Sequence, residues 1–142
     1  MEKTNMGTTY AEITLKNAVD VGMVQNGFIT EEKVRETTVR ALVDTGAITL
    51  VINEAMRQQL GLQVHSERET TFGNDIKAIC KLTGPVEVHW KDRSALCRAL
   101  VTSEHGKVLL GAIPLEDMDL MVNPVDQELV GIHGDKPMSL VM

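Results

Sequence analysis

Asp44 stands at the end of an apolar run, Ala41-Leu42-Val43. It is followed at once by Thr45-Gly46-Ala47 and a second apolar run, Ile48-Thr49-Leu50-Val51-Ile52. A carboxylate brought to the edge of a core costs free energy unless it is hydrogen-bonded or shares its charge. The chemistry this placement suits is that of a carboxylate pair. Two carboxylates at close range cannot both ionise, so they share a proton and act together as acid and base on water. Such a pair titrates as a unit and needs a second Asp in the same setting. No second apolar-Asp-Thr-Gly or apolar-Asp-Ser-Gly occurs; Gly73-Asn74-Asp75 and Gly134-Asp135 lie in polar surroundings. A second copy of the chain, placed across a two-fold axis beside Asp44, would supply the partner. The plainer reading is a turn in which Asp44 accepts from a backbone amide and Gly46 takes a positive φ.

Other chemistries find little support. His65, His89, His105 and His133 are scattered, with no HExxH spacing. Ser66, Ser94, Ser103 and Ser139 lack a GxSxG context. Cys80 and Cys97 are the only cysteines and form no CxxC, so free buried thiols are expected and neither a metal nor a cofactor is. A net charge of −6 speaks against nucleic acid as a partner. No apolar run is long enough to span a bilayer, so no membrane partner is expected. The polar first eight residues lack a signal-peptide core, which makes a cytoplasmic protein the default expectation. Residues 1–8 are expected to be a flexible tail and residues 9–142 a single domain, with apolar content (43%) ample for a core.

The elements that must position Asp44 read mainly as β. Ala11, Ile13 and Leu15 alternate with polar residues as in a half-buried strand. Short strands are expected over 19–24 and 34–43. Asn53 can cap a helix over 54–60 that Gly61 stops, with Met56 and Leu60 on one face. Residues 70–76 read as a hairpin tip. Val86, Val88 and Trp90 alternate, residues 91–94 turn the chain, and 96–101 form the next strand. Pro114 suits the first turn of a helix reaching about residue 120, in which Met118 and Met121 fill the core. Residues 123–126 form a turn before a strand at 128–132, and 138–142 can form another. One plan occurs twice, over 39–60 and 96–120: strand, turn with Gly, short helix. Many short strands with one or two short helices point to a closed or sandwich-like β fold.

Ala41-Leu42-Val43-Asp44-Thr45-Gly46-Ala47 resembles the active-site segment of the retropepsin-like aspartic proteases. Val108-Leu109-Leu110-Gly111, leading into a helix from Ile113, resembles that family's second hallmark. The resemblance spans roughly residues 9–140. It implies the acid-protease fold: a mainly β, closed barrel or sandwich. It implies a homodimeric aspartic endopeptidase with Asp44 catalytic and Thr45, Gly46 and Ala47 forming the active-site loop. The Thr45 hydroxyl would tie the two subunits' loops together. The hairpin tip Phe72-Gly73-Asn74-Asp75 falls where the family has its flap, with less glycine than retroviral flaps carry; a plain surface turn is the alternative. Ile48 and Thr49 stand where retroviral enzymes often carry acidic side chains. Chain termini pairing at the interface, an extended peptide substrate and no cofactor are further implications. Two other functions fit the same residues: a catalytically silent dimerisation or peptide-binding module, and a small-molecule carrier barrel.

Overall fold

A computed structural model of the chain describes residues 8–103 and 105–139. In chain order the elements are β1 (Thr9–Asn17), α1 (Ala18–Gln25), β2 (Glu36–Val43), β3 (Leu50–Asn53), α2 (Glu54–Leu60), β4 (Val64–Thr71), β5 (Lys77–Trp90), β6 (Arg93–Thr102), β7 (Leu109–Leu110), α3 (Ala112–Asp117), β8 (Leu120–Asn123) and β9 (Glu128–Gly131). The fold is mainly β, as expected. Seven strands form one mixed sheet in the order β1-β2-β7-β3-β6-β5-β4. β1 also pairs with β5, from Thr14 opposite His89 to Asn17 opposite Val86, so six strands close into a ring and β4 is left on its flank.

The alternation expected of β1 fills that ring. Ile13 and Leu15 point inward with Val86, Val88, Leu50, Ile52 and Leu110, all almost fully buried. Each such side chain contributes about 2 kcal/mol relative to exposure. The parallel pairs β2–β7 and β3–β6 match the repeated plan. Leu42 and Val43 lie beside Leu109 and Leu110, and Leu50 to Asn53 beside Ala99 to Thr102. β5 leaves the ring through a bulge between Leu82 and Pro85. There the Thr83 hydroxyl accepts from Ala99 N–H at 3.1 Å, where the ladder is interrupted, and the strand continues outward to pair with β4.

The capped helix at 54–60 forms as its signals indicate. Asn53 Oδ1 accepts from Met56 N–H at 2.8 Å, and Gly61 takes φ 64°. Other expectations need correction. Residues 19–24 are helical, inside α1, because Asn17 accepts from Val19 and Asp20 N–H and caps the segment. The Asn17 amide also donates to Leu60 O at 2.9 Å, and Asp20 pairs with Arg35 at 2.9 Å. These tertiary bonds outweigh the β preference of Val19, Val21 and Val24. Among the described residues the helices therefore number three, with a 3-10 turn at Glu31–Lys33, rather than one or two. α3 stops at Asp117 because Asp119 adopts φ 57°, so Met118 is buried while Met121, on β8, is 44% exposed. The turn before β6 shortens to Lys91-Asp92, since Arg93 already pairs with Trp90. Met138 and Ser139 are not in a strand; the rest of the expected terminal strand, and residues 1–7 of the expected tail, lie outside the described residues. Cys80 and Cys97 are buried free thiols, and burial raises the Cys97 thiol pKa against hydrogen bonds from Thr49 and Leu50.

Asp119 anchors the segment after β9. The buried Arg93 guanidinium donates to the carbonyls of Met118, Asp119 and Gly134. His133 Nδ1 lies 2.9 Å from the Asp119 carboxylate, and Met138 N–H donates to it at 3.1 Å. Burial opposes ionisation of Asp119, but His133, the Met138 amide and Arg93 outweigh it and hold the carboxyl below its usual range. A carboxyl depressed in the folded state stabilises above its unfolded pKa, about 4, and that stability drains away as pH falls through the folded value. Asp119→Asn should therefore lower stability at pH 7 and flatten its decline toward pH 3. Denaturant melts at both pH values measure this, and limited proteolysis should find 132–138 newly cleavable. A variant whose acid limb parallels the wild type's would refute the anchor.

Candidate active site

Asp44 follows β2 directly, and its backbone is fixed by the strand beside it. Leu42 N–H donates to Val108 O at 2.9 Å and Asp44 N–H to Leu110 O at 3.0 Å. The turn closes on itself: Ala47 N–H donates to Asp44 O, and Gly46 N–H to Asp44 Oδ1, each at 3.0 Å. Asp44 thus does accept a backbone amide. Gly46, however, is not among the positive-φ glycines; its requirement is closeness, since a Cβ there would lie 3.2 Å from Asp44 Oδ1. Asp44 is half-buried, and Thr45 and Gly46 are exposed.

The second motif braces the first. Ala112 N–H donates to Ala47 O at 2.8 Å and Ile113 N–H to Ile48 O at 3.0 Å. Gly111 makes this approach possible: a Cβ on it would stand 2.2 Å from Thr49 O and 2.6 Å from Ala47 O. Thr49 is buried and donates to Arg98 O at 2.8 Å, so at this position the chain has a structural hydroxyl rather than a substrate-facing group. Leu109 and Leu110 split their duties. Leu110 enters the barrel core, and Leu109 packs on a second apolar cluster of Val51, Cys80, Leu82 and Leu100.

Val51, Cys80, Leu100 and Leu109 of that cluster floor a cleft of about 790 Å³. Asp44, Gly46, Ala47 and Ile48 line one part of it, and the hairpin residues Thr70, Thr71, Phe72 and Gly73 line another. The hairpin tip is tight. Phe72 N–H donates to Ile76 O and Asp75 N–H to Phe72 O, both at 2.9 Å, with Asp75 at φ 64°. Asn74 Oδ1 accepts from Ile76 N–H at 3.1 Å. Asn74 and Asp75 do not line the cleft with Asp44; Asn74 faces a neighbouring hollow with Ile76 and Ile79. Phe72 borders both spaces.

Residues 30–82, which hold the Asp44 turn, α2 and most of the hairpin, match the family model described as aspartyl protease. Over that segment, 53 of the chain's 142 residues, the chain is similar to the aspartyl proteases. No curated protein matches the chain. The match ends before Leu109-Leu110-Gly111. Sequence reasoning missed the cleft floor of Val51, Cys80 and Leu100 and the wall residues Arg68 and Lys107. The signal was partly there: Cys80 and Leu82 share a face of β5. But only the pairing of β5 with β6, and of β6 with β3, brings them beside Val51.

Proposed function

We propose that the chain is a homodimeric aspartic endopeptidase in which two Asp44 carboxylates, one from each protomer, activate a water molecule. The observation that carries this is the single cleft shared by Asp44 and the tip of the β4–β5 hairpin, the arrangement a flap-covered peptide groove requires. Beside Asp44, Ile48 and Ile113 are joined by a backbone hydrogen bond yet stand 59% and 45% exposed, an apolar patch that a second copy would cover.

In this reading the pair of Asp44 side chains holds one proton. The ionised carboxylate takes a proton from water as its oxygen attacks the scissile carbonyl carbon, and the protonated one gives its proton to the carbonyl oxygen. Collapse of the tetrahedral intermediate sends a proton to the leaving amine nitrogen and restores the one-proton pair. The Gly46 N–H holds Asp44 Oδ1 in place throughout. Thr45 is the residue for the loop-to-loop contact across the axis, and Phe72 and Gly73 close over an extended substrate, whose main chain pairs as an added strand.

Sedimentation at micromolar concentration should give a dimer. A mixed peptide library should be cut most rapidly at acidic to mildly acidic pH within roughly 3 to 8, the span over which such a pair exchanges its shared proton. A strict monomer that cuts nothing across that span would sink the proposal. A dimer that binds peptides without cutting them would leave the same groove as a binding module.

A further inference from the structure

The cleft carries charge that the catalytic reading does not use. Arg68 and Lys107 both line it and both are exposed. Several other cations of the described residues are engaged. Arg35 pairs with Asp20, Arg57 and Lys81 with Glu54, and Lys16 with Glu36, while Arg40 stacks on Tyr10. Among the described residues, neither Arg68 nor Lys107 is in an ion pair.

Strand register aims Arg68 at the cleft. It sits directly opposite Cys80, whose side chain is buried in the cleft floor, and opposed residues share a face of the sheet. Glu69, which also borders the cleft, is opposite Ile79, and Ile79 is 70% exposed on the other face. The alternation of β4 therefore sends Arg68 toward the floor and Glu69 away from it. Lys107 reaches the same space from the loop before β7, next to Leu109 of the floor. A groove with an apolar floor and two unpaired cations on its wall fits an apolar side chain flanked by a carboxylate.

On the reading that this cleft is the peptide groove, we infer that it selects extended segments bearing a Glu or Asp side chain beside an apolar residue, with Arg68 and Lys107 as the residues that determine specificity. Arg68 offers a planar fork suited to a carboxylate and Lys107 a point charge. The cleft lining also holds the Asp44 and Glu69 carboxylates, so the selection rests on where Arg68 and Lys107 stand and not on a net positive charge of the groove.

The test uses peptides that share one apolar core and carry Glu, Gln or Lys beside it. Cleavage by the full chain should favour Glu over Lys by about tenfold or more in kcat/KM, expressed mainly in KM and shrinking with added salt. The Arg68→Glu/Lys107→Glu double variant should reverse the order, and Arg68→Gln/Lys107→Gln should level it; thermal melts check that both variants are folded. Binding of the same labelled peptides to the Asp44→Asn protein, read by fluorescence anisotropy, gives the preference without turnover. Cleavage with no charge preference, or a preference untouched by charge reversal, overturns the inference and leaves the peptidase standing. Glu-selective binding by a protein that cuts nothing upholds the inference and removes the peptidase.

Discussion

Asp44→Asn should lower peptide cleavage by at least about 1,000-fold, in the upper range that positioned acid–base groups contribute, while the fold persists. The side-chain amide keeps an oxygen to accept from Gly46 N–H, the bond Asp44 Oδ1 makes at 3.0 Å, so the turn has no reason to open. What disappears is the ability to take a proton from water. In a dimer the substitution also removes the repulsion between two carboxylates, so the variant should dimerise as well as the wild type or better near neutral pH. Asp44→Ala is the useful contrast, because it loses the Gly46 bond as well as the charge and should loosen the loop. Circular dichroism, sedimentation and cleavage of one peptide by the three proteins separate these effects. Cleavage by Asp44→Asn at the wild-type rate would end the aspartic mechanism.

The parts of this site that the sequence made legible are those set by neighbours along the chain. Asn53 and Gly61 bracket α2 by capping, Asp44-Thr45-Gly46 makes its own turn, and residues 72–76 close on themselves through Asn74 and Asp75. Each depends on contacts within a few residues. α1 has a local cap at Asn17, but the bonds that hold it against the β preference of its valines are distant: Asn17 reaches Leu60, and Asp20 reaches Arg35. The closing of the ring by β1 and β5 carries no local mark, since Val86 and Val88 would alternate equally well in an open sheet. The cleft floor was hidden for a similar reason: Val51, Cys80 and Leu100 come from three strands, and each reads alone as ordinary core. Arg68 lies between Glu67 and Glu69 in a charged run that gives it no direction; its partner across the ladder, Cys80, does.

The same distinction makes Gly111 the most sensitive backbone position in the site. Its φ of −95° is open to any residue, so conformational strain does not demand glycine here. Space does. A Cβ would stand 2.2 Å from Thr49 O, 2.6 Å from Ala47 O and 2.9 Å from Thr49 C, all backbone atoms that cannot swing aside as a flexible side chain would. Relief requires moving α3 away from the Asp44 loop. That would stretch the bonds from Ala112 to Ala47 and from Ile113 to Ile48, and would pull on Leu110, which is fully buried in the core. Gly111→Ala should therefore cost about 3 kcal/mol or more, the upper range for overpacking, out of the 5–15 kcal/mol typical of a domain. It should yield little folded protein at 37 °C. Whatever folds should cleave poorly, because the displaced atoms are those that set Asp44. Gly22→Ala is the matched control. Nothing lies within 4 Å of a Cβ at Gly22, and inside α1 the change should raise stability by about 0.5–1 kcal/mol. Thermal melts of both variants beside the wild type decide the matter. A Gly111→Ala protein melting within about 2 °C of the wild type would mean that the second motif does not press on the Asp44 loop as the structure has it.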